Sequence, residues 1–192
     1  MKPYYEDKYV TIYNADCREI LPDLPKVDLV LTDPPYPDQH LEYGDCDISF
    51  LNNLTCRQLI FWSAKVDFPL DYSAIHIWDK VVGVGSMYER IFERNGHRHY
   101  RIFKSHPITC DYIAMRSHDI FTGHKSQKPI HLIEMLTNKY SKGNDLILDL
   151  FLGSGTTVVA AKSLNRKSIG IEIEEKYCEI AAKRCSQMVM EF

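Results

Sequence analysis

The chain has 192 residues, near the ~150 of one ordinary domain, so a single catalytic or binding domain spanning 1–192 is expected rather than two independent cores. With 45% hydrophobic and 26% charged residues, it can bury enough apolar surface to offset its ordering entropy, which excludes an intrinsically disordered chain. The formal charge of −3, from 26 acids against 23 Lys and Arg, supplies none of the overall positive field by which many nucleic-acid binders attract phosphate.

In chain order, Tyr9 to Tyr13 reads as a strand, and Val27 to Thr32 as a second, buried on both faces and stopped by Pro34-Pro35. The acidic stretch Pro37 to Ser49 is the one long loop and is expected to be mobile. Thr55 to Ala64 shows the apolar recurrence of an amphipathic helix, and Ala74 to Trp78 reads as a central strand. Arg98 to Lys104 and Asp111 to Arg116, separated by His106-Pro107, could form an antiparallel hairpin closing one edge. Pro129 to Tyr140 is a helix, Asp145 to Leu150 a strand, Thr156 to Asn165 a helix, Lys167 to Glu172 a strand and Glu175 to Met190 a final helix. Strands alternating with helices imply an α/β fold, Rossmann-like, with a mainly parallel sheet and helices on both faces.

The six cysteines are scattered, without a CxxC pair, so neither a zinc site nor a disulfide framework is expected and a reduced, cytoplasmic setting is the simpler reading. No stretch approaches the ~18 apolar residues of a membrane span, so no membrane partner is expected.

Ligands of open parallel sheets bind at the carboxyl ends of the strands. At one such end, Asp149-Leu150-Phe151-Leu152-Gly153-Ser154-Gly155-Thr156-Thr157 runs from a strand through a glycine turn into a helix. Gly153 permits the tight turn, Gly155 lets a ligand approach the backbone, and the helix N-terminus offers free N–H groups. Val158 stands where a dinucleotide fingerprint would carry its third Gly or Ala. Glu172, nineteen residues after Gly153, ends the next strand and can accept from both hydroxyls of a ribose. A plain strand-to-helix turn followed by a surface Glu is the bland alternative. At a second end, Asp33-Pro34-Pro35-Tyr36 combines a carboxylate, a proline-stiffened carbonyl and an aromatic face, which suits a planar base bearing an exocyclic amine. Asp-Pro and Pro-Pro are also common turn dipeptides. At a third, Asp16 can accept from an adenine amine or simply cap a short helix beginning near Arg18.

Together these residues resemble the S-adenosylmethionine-dependent amino-methyltransferases of DNA, which act on adenine N6 or cytosine N4. Asp33-Pro34-Pro35-Tyr36 is similar to their catalytic motif, Phe151 to Gly155 to their cofactor motif, and His124-Lys125-Ser126-Gln127-Lys128-Pro129 to the segment preceding it. The catalytic motif comes first, as in the permuted order called beta, and the resemblance covers roughly residues 8 to 182.

The resemblance implies a permuted methyltransferase topology with S-adenosylmethionine as cofactor and DNA as partner. Gly153, Gly155, Thr156 and Thr157 would hold the methionine part, with Asp149 near its ammonium and Ser126, Gln127 and Lys128 near its carboxylate end. Glu172 would hold the ribose, Asp16 the adenine amine, and Phe151 would pack near the methyl donor. Asp33 and the carbonyl of Pro34 would accept both hydrogens of the target amine, with Pro35 stiffening the turn and Tyr36 stacking on a flipped base. Asp33 rather than Ser at this position favours adenine over cytosine. An RNA base methyltransferase and a catalytically silent nucleic-acid-binding subunit stand as alternatives. The chemistry implied is direct displacement, with no metal required.

Between residues 90 and 106 five basic residues face Glu93 alone, a local charge of +4 that could track phosphates, and Arg94, Arg98, Arg101 and Lys104 are the candidates. They could equally be an exposed helix end and an edge strand. His97 and His99 lack a third ligand nearby in sequence, so a metal is not expected there. Only Ser117 to Gly123 intervenes where this family usually carries a target-recognition insertion, so no sizeable recognition domain is expected. Recognition is then short, relaxed, or supplied by the Pro37 to Ser49 loop or a second subunit. Relatives of this kind often dimerise, and the sequence leaves a homodimer open.

Overall fold

The computed structural model describes residues 1–38, 47–81, 88–104, 122 and 127–187. Its strands are β1 (Tyr5–Glu6), β2 (Val10–Asn14), β3 (Leu29–Thr32), β4 (Arg57–Trp62), β5 (Ala74–Asp79), β6 (Tyr88–Arg94), β7 (Ile102–Lys104), β8 (Leu146–Asp149) and β9 (Lys167–Glu172). The helices are α1 (Cys17–Ile20), α2 (Ile130–Tyr140), α3 (Thr156–Ser163) and α4 (Glu175–Gln187), with 3-10 turns at Leu21–Asp23 and Ser49–Asn53.

All described strands form one sheet in the order β1-β2-β9-β8-β3-β4-β6-β5-β7. The run from β2 to β4 is parallel, with Ile12 opposite Gly170, Leu148 opposite Ile169 and Leu31 opposite Leu59. β6 is antiparallel to both of its neighbours, β4 and β5, and β1 is antiparallel to β2. Every residue of β3 is buried, as expected of a strand covered on both faces. α2 packs on α3 and α3 on α4, so the long helices form one row, with α3 over β8 and β9 and α4 over β2 and β9. This is the mainly parallel, Rossmann-like sheet expected from the alternation of strands and helices, although the three long helices share one row where helices on both faces were expected.

Two expectations change, and a third is met in part. Thr55 to Ala64 is not a helix: Arg57–Trp62 is strand β4. Leu59, Ile60, Phe61 and Trp62 are all essentially inaccessible, and a short apolar run carries no usable period when both faces are covered, so sheet burial decides it. The stretch read as a helix end and edge strand contains β6, an internal strand whose last four residues are buried. The edge strand Ile102–Lys104 exists, but it runs parallel to β5, with Trp78 opposite Phe103. Its proposed hairpin partner, Asp111 to Arg116, lies outside the described residues, as do residues 39–46 of the acidic loop and Ser126. Among the described residues, no helix is long and apolar enough to cross a membrane.

Candidate active site

The carboxyl ends of four neighbouring parallel strands each deliver one carboxylate. In sheet order, Asp16 follows β2, Glu172 closes β9, Asp149 closes β8 and Asp33 follows β3. All four line one cavity of about 450 Å³, whose wall also includes Phe50, Phe61, Gln127, Lys128, Phe151 and the backbone from Gly153 to Thr157, Gly155 excepted.

Each carboxylate is held by the turn it sits in. Glu172 Oε2 accepts from the Gly153 N–H at 2.7 Å and Oε1 from the Glu174 N–H at 2.9 Å. Two fixed donors leave lone pairs on both oxygens for further hydroxyl groups. Asp149 Oδ1 accepts from the Thr32 hydroxyl at 2.8 Å and the Phe151 N–H at 3.2 Å. Burial pushes the Asp149 pKa up to about 6, so a cation placed beside it would be strongly favoured. Asp16 caps α1 through the Arg18 N–H, and the Arg18 guanidinium forks onto the same carboxylate. The cap alternative for Asp16 is therefore real, although the residue also faces the cavity.

The glycine turn behaves as expected in one respect and differs in another. Gly153 and Gly155 have φ of 52° and 87°, a region L side chains avoid. Gly155, expected to admit a ligand, instead admits α4: a Cβ there would lie 2.6 Å from the Ala181 Cβ. Its absent side chain serves helix packing against the turn. The buried Arg184 of α4 braces the same turn by donating to the Ser154 carbonyl at 2.8 Å.

Asp33 stands in a cluster that sequence reasoning only half found. Lys128 donates to Asp33 Oδ2, and the Tyr36 hydroxyl donates to Asp33 Oδ1. Glu89, at the start of β6, lies 3.4 Å from Lys128 Nζ and 3.3 Å from the Tyr36 hydroxyl, and is ion-paired to Lys80 at 2.7 Å. Burial raises the Asp33 pKa against the pull of Lys128. Burial alone would lower the Lys128 pKa, but the carboxylates of Asp33 and Glu89 hold it above the ordinary lysine value. Glu89 and Lys80 were missed because nothing in Tyr88-Glu89-Arg90 distinguishes a cluster member from a strand charge until β6 is seen to begin beside the carboxyl end of β4.

Three site residues are placed differently from expectation. Tyr36 is 6% exposed, packs on Trp62 at 5.7 Å between ring centroids, and is absent from the cavity wall. Its plane is not presented for stacking; its hydroxyl clamps Asp33. Lys128, expected near the carboxylate end of a cofactor, sends its ammonium to Asp33 and Glu89 instead. Arg94 does not face solvent: it is buried and donates to the Asp71 carbonyl, Gln58 and Asn52. Arg90 is likewise turned inward, onto the carbonyls of Ser63 and Val66. Arg98, Arg101 and Lys104 are exposed.

The sequence profile of the DNA methylase family, grouping N6 and N4 enzymes, matches residues 59–183. The Type II methyltransferase M.ScaI of Streptomyces caespitosus is 26% identical over 253 aligned positions, which cover 95% of this chain and 83% of that protein. The alignment is longer than the chain, so M.ScaI carries inserted residues within it. The Type II methyltransferase M2.LlaDCHI of Lactococcus lactis subsp. cremoris is 50% identical over 64 residues, which are 33% of this chain and 24% of that protein's length. Among solved structures, the M1.HpyAVI–SAM complex superposes with a TM-score of 0.63 at 25% identity, covering 91% of this chain and 99% of that one. The cytosine-N4-specific PvuII DNA methyltransferase shares the fold, with a TM-score of 0.72 at 17% identity over 95% of this chain and 88% of that one.

Proposed function

The chain belongs to the DNA methylase family of N6 and N4 enzymes, and from that premise we propose that it moves a methyl group from S-adenosylmethionine to adenine N6 of DNA. The observation that carries the reading is the row Asp16, Glu172, Asp149, Asp33 along adjacent strand ends of one cavity. The donor set fits the cofactor. Glu172 has lone pairs left for two ribose hydroxyls, Asp149 is a buried carboxylate suited to an ammonium, and Phe50 and Phe151 supply an apolar wall. Gln127 lies on the same wall with its carbonyl oxygen fixed by Thr122, and Ser126 precedes it in sequence.

When bound, S-adenosylmethionine supplies a methyl group on a sulfonium, activated for displacement. The chain's part is to present the acceptor. The exocyclic amine of adenine is a weak nucleophile because its lone pair is delocalised into the ring. Asp33 and the Pro34 carbonyl accept its two hydrogens and draw the nitrogen toward tetrahedral geometry, freeing the lone pair. Tyr36 and Lys128 fix the carboxylate that does this, and positioning of this kind supplies much of the rate enhancement.

DNA is the proposed partner, met through Arg98, Arg101 and Lys104, the exposed members of the basic stretch. Inserted residues in M.ScaI support the view that this chain has little of its own for reading a target sequence. The test is product identity. DNA methylated by the protein is digested to nucleosides and weighed, with Asp33→Ala as the inactive control. N6-methyldeoxyadenosine is expected; N4-methyldeoxycytidine would move the assignment to the other branch of the family, and methylation confined to RNA would replace the DNA reading.

A further inference from the structure

Away from the cavity, four polar groups, three from regular elements and one from the segment before β7, meet at one point. His76 of β5 and Glu93 of β6 are both fully buried, with His76 Nε2 2.8 Å from Glu93 Oε2. The hydroxyl of Tyr140, the last residue of α2, lies 3.2 Å from that same nitrogen and 3.3 Å from His99 Nε2. His99 Nε2 in turn stands 3.6 Å from Glu93 Oε2. None of the four lines the cavity.

A tetrahedral zinc ion with bonds of about 2.0–2.1 Å sets its donor atoms about 3.3–3.4 Å apart. The distances here, 2.8, 3.2, 3.3 and 3.6 Å, straddle that edge length. We propose that His76, Glu93 and His99, with the Tyr140 hydroxyl on the fourth side, form a zinc-binding site separate from the methyl-transfer centre.

The surrounding contacts suit ligation. His99 Nδ1 lies 2.8 Å from the His97 carbonyl, which can only accept, so Nδ1 carries the proton and Nε2 offers its lone pair to the centre. Metal-bound histidines are oriented by this kind of outer contact. Arg57 pairs with the other carboxylate oxygen, Glu93 Oε1, at 3.3 Å, leaving Oε2 to the ion. The pair His97 and His99 gave no metal signal in sequence because His76, Glu93 and Tyr140 join His99 only through the packing of β5, β6 and α2. An ion here would tie β5 and β6 to α2 and to the segment entering the edge strand β7.

The full chain, stripped with EDTA, is titrated with Co²⁺ and Zn²⁺ alone and its metal content measured by mass spectrometry. One equivalent of Co²⁺ is expected, with the intense visible absorption of tetrahedral cobalt and displacement by Zn²⁺. His99→Gln, at a partly exposed position, should keep the fold by circular dichroism and bind at least about tenfold more weakly, and Glu93→Gln should lose the cobalt spectrum. A folded wild-type chain without stoichiometric metal overturns the site and leaves a hydrogen-bonded cluster. Metal binding unchanged in His99→Gln overturns it as well, by putting the ion elsewhere, for example on cysteines.

Discussion

Lys128, two residues before α2, places its ammonium on the Asp33 carboxylate, 95 positions away in sequence at the end of β3. That contact joins the segment preceding α2 to the proposed methyl-acceptor site, and it sets a cation between two partly buried carboxylates, Asp33 and Glu89, that would otherwise repel. Replacing it by Lys128→Met leaves Asp33 and Glu89 with one fewer cation between them. Breaking the pair should cost about 3 kcal/mol or less, the low end for a buried pair because the Asp33 side chain is 22% exposed, read by denaturant unfolding. Without the ammonium, the Asp33 pKa rises further, and its carboxyl group accepts most strongly when ionised. The acid limb of methyl transfer should therefore move to higher pH, with activity partly recovered in alkaline buffer.

Tyr36→Phe separates two roles. If the hydroxyl on Asp33 matters, the variant loses turnover by roughly ten- to a hundredfold, in line with the loss of one positioning hydrogen bond of about 1.5–3 kcal/mol to a charged group. Its cofactor affinity, measured by calorimetry, stays within twofold, an expectation of roughly no change since Tyr36 is off the cavity wall. A stacking role alone predicts nearly full activity in Tyr36→Phe and loss only in Tyr36→Ala.

Asp149 gives cofactor binding a pH dependence. Its carboxyl titrates at about 6 in the free protein, and a cofactor ammonium beside it favours the ionised form. Affinity is then fully present above that pH and lost as pH falls through it, by up to about tenfold per unit. Calorimetry between neutral and mildly acidic pH checks this, and Asp149→Asn should flatten the profile while lowering affinity throughout.

Gly155→Ala should be costly for two reasons. The new Cβ would lie 2.6 Å from the Ala181 Cβ, and φ is 87°. Strain and overpacking of this kind cost about 1–3 kcal/mol each. Urea unfolding should show a lower midpoint at unchanged slope, and Ala181→Gly should restore the steric part while leaving the backbone part.

Salt dependence distinguishes exposed from buried arginine. Arg98→Ala and Lys104→Ala should each lower the slope of log affinity for duplex DNA against log salt by about 1. Arg94→Ala should instead destabilise the chain, because it leaves the Asp71 carbonyl, Gln58 and Asn52 without their donor. A slope unchanged in both surface variants would remove this stretch from the DNA interface.

The sequence by itself determined the elements that follow local rules. Lys167 to Glu172 is a strand with the boundaries its apolar run implies. The turn from Asp149 to Thr157 is legible because strand, glycines and helix start occur in fixed order, and Asp33 and Glu172 are legible because each directly ends a strand. Thr55 to Ala64 was read with the wrong period because residues buried on both faces carry no alternation.

Only the tertiary structure decided what depends on distant chain meeting. Which carboxylates Lys128 meets, whether Arg94 faces solvent or the core, what Gly155 packs against, and which groups surround His99 are decided by strand order and helix docking. Spacing along the chain reports on neighbours within a turn or a strand. The contacts of Lys128 with Asp33 and of His76 with Tyr140, separated by 95 and 64 positions, exist because the sheet orders its strands as β8-β3-β4-β6-β5, an order that burial of the whole core selects and no local pattern encodes.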